Sequence, residues 1–434
     1  MNEPSNPAAA TDRPRRNAII LSGGGARGAY EVGVLWYLFD EFARLRKRVP
    51  RVDILCGTSV GAINACYLAA HMVDPTLGMR RLVQLWSELE LARVLGFGMR
   101  QVLSLPKLIT GGGDDGAGLF DVRPMAELVQ REISWKALAR TLRRRQLRAL
   151  TVSTTEVSTG RTVVFMQTAP DLVAPTTAPP RTLFRHDTIG PHHALASAAI
   201  PLLFPPVRIH DELYLDGGLR QNTPIAPALR LGATHVMAIG LSRPVSGVAA
   251  SESISSSKSP GAAFLLGKVL NAFLLDHVDV DLDILDRLNH VISDGTTAFG
   301  EDFTDIMTRQ ARARNAPGYR FVATLTVRPS EDLGQLASDH VKRGRFLGNP
   351  MFTKRVLAML DVGIRSESDL ASYLLFDGGY CQKLIEMGRA DAHAQREQLM
   401  EFFGPPELDG EGGPESGEGR DSSFRQSLGI ALGT

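Results

Sequence analysis

Ser59 lies in Gly57-Thr58-Ser59-Val60-Gly61, a G-x-S-x-G whose neighbours are those a nucleophilic serine needs. The run before it, Val52-Asp53-Ile54-Leu55-Cys56, reads as a buried strand, and Ala62 to Ala70 reads as a helix. A serine on such a sharp strand-to-helix turn is held in strained backbone, with its hydroxyl pushed clear of the sheet. Strand, turn and helix approach closely there, and glycine at 57 and 61 leaves the room. Given a base and donors for the developing oxyanion, that hydroxyl can carry out acyl transfer.

A second cluster supplies candidate donors. Gly23-Gly24-Gly25-Ala26-Arg27-Gly28 falls between an expected strand, Ala18–Leu21, and an expected helix from Ala29 to Arg46. Its letters match the dinucleotide fingerprint G-x-G-x-x-G, which would imply a nicotinamide-dependent oxidoreductase. That reading needs an acid at the end of the second strand. Asp53 begins that strand instead, and its far end runs through Cys56 into the Ser59 turn. A phosphate-binding P-loop fails as well, because Ala29-Tyr30 follows Gly28 where Lys and Ser or Thr are required. As an oxyanion hole the loop fits better. Consecutive glycines expose backbone N–H groups, and the helix N-terminus adds positive potential. Loops at the C-terminal ends of adjacent parallel strands share one crevice, so this loop and Ser59 should face each other.

Histidine is the usual base for such a serine. The ten histidines include His192-His193, His210 and His235, and none sits in a tight motif after a strand. The carboxylates are sharper candidates. Leu213-Tyr214-Leu215-Asp216-Gly217-Gly218 places an aspartate at the end of a short strand, followed by glycines that allow close backbone approach. Asn222-Thr223-Pro224 then opens a helix with proline in its first turn. Asp377-Gly378-Gly379 repeats the letters, but it follows residues of helical period and reads as a helix-to-helix turn.

The order G-G-G-x-R-G, then G-x-S-x-G, then D-G-G resembles the patatin-like phospholipase family over roughly residues 17–242. The resemblance implies a Ser–Asp dyad without histidine, with Ser59 as nucleophile and Asp216 as base. It implies an oxyanion hole at Gly24, Gly25 and Ala26 with Arg27 beside them. Gly23, Gly28, Gly57, Gly61, Gly217 and Gly218 complete the motifs. Ala196-Ser197-Ala198-Ala199-Ile200-Pro201 resembles a family block that packs near the dyad, and Thr155 to Gly160 resembles its strand–turn segment. The implied activity is hydrolysis of phospholipid or other lipid esters through an acyl-serine, with no metal and no cofactor. A lipid-binding or scaffold protein that kept the elbow without catalysis is the remaining alternative. An aspartate at its ordinary pKa is a poor base, so Asp216 should be partly buried and its pKa raised.

The alternation of strands and helices calls for an α/β fold, a three-layer α/β/α arrangement with a mainly parallel central sheet and a helical C-terminal extension. Boundaries fall at 1–16 (disordered arm), 17–242 (catalytic domain), 243–261 (Ser-rich linker), 262–403 (helical extension) and 404–434 (disordered tail). A net charge of +1 gives no global field for nucleic acid. Three cysteines without a C-x-x-C favour a reducing compartment. Met1 to Asn17 has no apolar core of a secretory signal, and no segment has the apolar length of a membrane span. A cytoplasmic protein with peripheral membrane contact is expected, of unknown oligomeric state. Two features could touch lipid: the basic run Arg140 to Arg148, otherwise a solvated helix end, and the apolar stripe Phe264, Leu265, Val269, Phe273, Leu274 and Val278, otherwise a packed helix face. Asp279-Val280-Asp281-Leu282-Asp283 imitates a calcium loop but has Ile284 and His290 where glycine and glutamate belong.

Overall fold

The computed structural model describes residues 14–96, 118–243, 278–353 and 369–404, except 174, 176, 315, 317 and 345. Nearly all of the linker 243–261, the stripe from Phe264 to Leu274, nearly all of the loop Gly96–Gly118, and most of the arm 1–16 and tail 404–434 lie outside the described residues.

Among the described residues nine strands form one sheet: β1 (Asn17–Leu21), β2 (Ile54–Thr58), β3 (Ala149–Glu156), β4 (Thr162–Thr168), β5 (Thr182–His186), β6 (Val207–Ile209), β7 (Glu212–Asp216), β8 (His235–Ile239) and β9 (Ala323–Val327). Their order is β5-β4-β3-β2-β1-β8-β9, with β7 also pairing β3 and β6 pairing β7. From β3 through β2, β1 and β8 to β9 every neighbour is parallel. The β3–β4, β3–β7 and β6–β7 pairs are antiparallel.

The central strands read as unbroken apolar runs because both faces of a parallel sheet are covered. Ile19, Leu21 and Leu55 join one core with Tyr30 and Val34 of helix α1 (Gly28–Trp36) and Leu68 of α2 (Val60–Ala70). Their neighbours Ala18, Ile20, Ile54 and Cys56 point the other way, into a second core with Ile225 and Ala228. That alternation follows from the two-residue period of a strand, and it makes three layers. Each fully buried Ile or Leu in these cores contributes about 1.5–3 kcal/mol of transfer free energy.

The remaining principal helices are α3 (Pro75–Ser87), α4 (Arg123–Glu132), α5 (Trp135–Arg143), α6 (Pro191–Ser197), α7 (Ile225–Arg230), α8 (Val278–Phe299), α9 (Phe303–Ala313), α10 (Leu333–Arg343), α11 (Asp369–Leu374), α12 (Gly378–Ala394) and α13 (Arg396–Phe403). Helix α1 runs on through a π-helical turn, Tyr37–Phe42. The acidic run from Asp279 to Asp283 lies within α8, so it forms no calcium loop. Helix α12 packs along α1, with Leu384 and Ile385 in the first core.

Two details differ from the sequence reading. The second strand, expected at 52–56, runs from Ile54 to Thr58, so Gly57 and Thr58 are its last residues. Strand β5 was not anticipated; Thr182-Leu183-Phe184-Arg185-His186 is a half-exposed edge with a weak alternation. The apolar run Phe321–Val327, which reads as a strand after the linker, contains β9 at the sheet edge beside β8.

Candidate active site

Strand register brings Ser59 to Asp216. Strand β2 runs along one edge of β3 and ends where Thr58 pairs with Ser153. Strand β7 takes over the same edge from the opposite direction, pairing Asp216 with Thr154. The end of β2 and the end of β7 therefore meet head to head. Ser59 Oγ donates to Asp216 Oδ2 at 2.6 Å. The residues are 3% and 0% exposed, so little water competes for that bond.

Ser59 adopts φ 54° and ψ −127°, a conformation an L-residue accepts only when its surroundings impose it. The imposing contacts are plain. A Cβ on Gly57 would lie 2.5 Å from the Gly61 carbonyl oxygen, and one on Gly61 would lie 2.5 Å from the Leu21 carbonyl oxygen. The Ser59 amide donates to Ser197 Oγ at 2.8 Å, and Ser197 Oγ donates to the Ser153 carbonyl at 2.6 Å. Ser197 closes α6, and it ties the elbow back to β3.

Asp216 is fixed on all sides. Its Oδ1 accepts the Gly218 amide at 2.7 Å, its own amide donates to the Ala199 carbonyl at 2.9 Å, and its carbonyl accepts from Thr155 Oγ1 at 2.9 Å. Gly217 packs so closely on β3 that a Cβ there would sit 2.3 Å from the Ser153 carbonyl oxygen. Burial pushes the carboxyl pKa up to about 7, against the hydrogen bonds from Ser59 and Gly218, which favour the charged form.

The glycine loop lies across from the serine. A Cβ on Gly23 would be 3.0 Å from Ser59 Cβ. Asn222 holds Gly23 at two points: its carbonyl accepts the Gly23 amide at 3.2 Å, and its Nδ2 donates to the Gly23 carbonyl at 3.0 Å. Thr58 Oγ1 donates to the Gln221 carbonyl at 2.9 Å, and the hydroxyls of Ser22 and Thr223 are 2.8 Å apart. The segment after Gly218 thus laces the loop to β2, and Pro224 caps α7 rather than lying in its first turn. Gly25 takes φ +56°, a left-handed conformation that suits glycine, and Gly25, Ala26 and Arg27 form a single 3₁₀ turn leading into α1. Gly28 packs on Val60, the residue after Ser59.

Arg27 lies in this turn, but its guanidinium is directed to α11: Nε donates to Ser372 Oγ at 2.7 Å, and the group stacks over the Tyr373 ring at 4.1 Å. Glu31 is fully buried in the first turn of α1, where it accepts the Ser22 amide at 2.6 Å and Asn64 Nδ2 at 2.9 Å. Neither Ser372, Tyr373, Asn222 nor Glu31 carries a motif signal that ties it to the loop; a buried acid near the start of an apolar helix was the only hint.

The other sequence candidates lie elsewhere. His193 is buried, its Nδ1 accepts the Gly190 amide, and burial lowers its pKa to about 4. His210 is exposed and pairs with Asp187. Neither of these histidines hydrogen-bonds Ser59 or Asp216. Asp377 caps α12, where its carboxylate accepts from the Gly379 and Leu347 amides and bonds His340, so this second D-G-G is structural. In the basic run, Arg145 and Arg148 pair with Asp171, and the Arg148 amide donates to the Asp53 carbonyl. Asp53 precedes β2, so the run sits at the end of the sheet away from Ser59. Among the described residues no group of His, Cys, Asp or Glu could hold a metal ion, and no helix is long and apolar enough to cross a membrane.

Comparison with known proteins places the domain. Residues 19–229 match the family model described as patatin-like phospholipase. A Pseudomonas aeruginosa protein named cGAMP-activated phospholipase is 32% identical over 218 residues, 49% of this chain and 56% of that protein. The chain thus spans just over half of that relative's length. A protein of Invertebrate iridescent virus 6 named probable lipid hydrolase 463L is 23% identical over 235 residues, 53% of this chain and 69% of that one. Among solved structures, human GIVD cytosolic phospholipase A2 in complex with methyl gamma-linolenyl fluorophosphonate superposes with a TM-score of 0.38 at 12% identity, covering 90% of this chain and 59% of that one. That likeness is too loose to carry an argument. The family match and the order of motifs are sufficient: residues 19–229 form a patatin-like phospholipase domain.

Proposed function

We propose that the chain is a serine acyl hydrolase acting on carboxylic esters of membrane lipids through Ser59 and Asp216. The observation that carries the reading is the 2.6 Å bond from Ser59 Oγ to a wholly buried Asp216 whose pKa lies near 7. As Ser59 Oγ attacks the ester carbonyl carbon, its proton passes to Asp216 Oδ2. The carbonyl oxygen becomes an oxyanion, stabilised by amides of the loop Gly24–Ala26 and by the N-terminal dipole of α1. Collapse of this intermediate breaks the bond to the alcohol, which leaves with the proton held by Asp216. Water then attacks the acyl-Ser59 ester as Asp216 takes its proton; collapse breaks the bond to Ser59 Oγ, Asp216 returns the proton to that oxygen, and the fatty acid departs. The family match and the names of the relatives support lipid esters as the substrate class, and the chemistry calls for no metal or cofactor.

A fluorophosphonate probe tests the nucleophile. Label should appear on wild type and vanish in Ser59→Ala. Hydrolysis of phospholipid vesicles, read by mass spectrometry of released fatty acid, tests the substrate. One arm adds cGAMP, because the name of the bacterial relative makes that nucleotide an activator there. Equal fatty-acid release by wild type and Ser59→Ala in every arm would sink the proposal.

A further inference from the structure

The glycine loop is gripped from behind by a helix outside the family domain. Domain residues end at 229, whereas α11 spans Asp369–Leu374. Its backbone touches the loop directly: a Cβ on Gly25 would sit 2.1 Å from the Tyr373 carbonyl oxygen. Its side chains hold Arg27, through Ser372 Oγ at 2.7 Å from Nε, the Tyr373 hydroxyl at 3.3 Å from Nη1, and the Tyr373 ring under the guanidinium. Arg27, Ser372 and Tyr373 are 7%, 0% and 4% exposed, so these bonds form away from water. A guanidinium stacked on an aromatic face and bonded through its planar donors is held in one orientation.

The helix that grips is itself anchored. Three residues after Leu374, Asp377 accepts the Leu347 and Gly379 amides and bonds His340 of α10, and the Gly378 amide donates to the Leu89 carbonyl at 2.7 Å. Helix α12 then lies in backbone contact with α1, since a Cβ on Gly388 would be 2.2 Å from the Tyr30 carbonyl oxygen. One rigid unit therefore supports both the loop and the helix whose N-terminus faces Ser59.

We propose that Ser372 and Tyr373 are positioning residues for the oxyanion loop, acting through Arg27 and Gly25 to aim the Gly24–Ala26 amides at the intermediate formed on Ser59. The proposal rests on the hydrolase reading above. The loop amides matter most when the oxyanion forms, so loosening them lowers kcat and leaves KM nearly unchanged. A missing donor slows acyl transfer by about 10²–10³, and a misaimed loop loses part of that, a fall of about 10–100-fold.

The test uses the full chain with Ser372→Ala, Tyr373→Ala and Tyr373→Phe, a soluble p-nitrophenyl ester, and the rate of fluorophosphonate labelling. Expected results are a kcat and a labelling rate about 10–100-fold lower in both alanine variants. KM should stay within about twofold and the midpoint of the pH–rate profile should not move, because Asp216 is untouched. Tyr373→Phe keeps the ring under Arg27 and recovers most of the rate. Should Tyr373→Ala fail to fold, Ser372→Ala against Tyr373→Phe decides the matter, since each removes a single hydroxyl. Wild type that labels, with alanine variants labelling at its rate or differing only in KM, overturns this proposal alone. Wild type that takes no label and cleaves no ester overturns the hydrolase reading, and this proposal with it.

Discussion

Asp216→Asn exchanges a buried acid for a group of the same shape that cannot titrate. The folded chain holds the Asp216 proton up to about pH 7, whereas the ordinary carboxyl releases it near 3.8. The folded state therefore binds more protons than the unfolded state across this window. The stability this residue gives is full below the lower value and is lost as pH rises through the upper one. Over the whole window the loss is roughly 4 kcal/mol, and more than half of it falls between pH 5 and pH 8. The asparagine variant lacks this slope. Urea unfolding of both proteins at pH 5, 6, 7 and 8 should show the variant gaining roughly 2–3 kcal/mol on wild type over that range, with all other groups cancelling in the difference. Ester hydrolysis by the same variant should fall by about 10²–10⁴-fold. A stability difference that stays constant with pH would refute the buried, high-pKa carboxyl. Hydrolysis within tenfold of wild type would refute its role as base.

Ser197→Ala removes the hydroxyl that links the Ser59 amide to the Ser153 carbonyl, leaving two buried groups unpaired. It should cost about 1–3 kcal/mol by thermal unfolding and lower kcat more than it raises KM; wild-type stability and kcat together would count against it. In Gly61→Ala the new Cβ would meet the Leu21 and Ser22 carbonyl oxygens at 2.5 and 2.7 Å, which forces the start of α2 away from the end of β1. Stability should drop by about 1–3 kcal/mol or more and activity with it, so a fully active variant would show that the elbow is not close-packed. Cys56, Cys66 and Cys381 are buried, and burial raises all three thiol pKa values, that of Cys56 to about 12. Iodoacetamide should leave the native chain unmodified by mass spectrometry and fully active, whereas rapid alkylation would mean that these cores open readily.

What could be read from sequence was what is local. The elbow, the glycine loop and the aspartate at the end of a strand each announce themselves within six or seven residues, and β7 and its glycines put Asp216 where that reading required. The supports were invisible for a physical reason: their partners are remote. Ser197 reaches Ser59 across 138 positions, Asn222 reaches Gly23 across 199, and Ser372 reaches Arg27 across 345. No periodicity encodes such pairs. Arg27 shows the limit best. Its place in the motif was plain, but the direction of its guanidinium depends on a helix whose own sequence, Asp-Leu-Ala-Ser-Tyr-Leu, carries no sign of the contact. The two-residue offset of β2 has a similar origin, because its end is set by pairing with β3 and not by its own apolar run.

Among the described residues no histidine joins Ser59 and Asp216, and the sheet shows why none is needed there. In a triad the imidazole spans the gap between serine and aspartate and brings a pKa near neutrality by its nature. Here β7 enters antiparallel on the edge that β2 vacates, so the carboxylate arrives within 2.6 Å of the hydroxyl and no gap remains to be spanned. The aspartate must then acquire from its surroundings the basicity that imidazole has intrinsically, and desolvation is the first cause of its raised pKa. The raised Asp216 pKa is thus a property of packing: Gly217 pressed on Ser153, the Ala199 carbonyl on the Asp216 amide, Thr155 on its carbonyl. A substitution there that admits water should lower the Asp216 pKa without touching Ser59 or Asp216 itself. The pH–rate midpoint would then move down from about 7 towards the ordinary carboxyl value, while a purely steric defect would lower the rate at every pH and leave the midpoint in place.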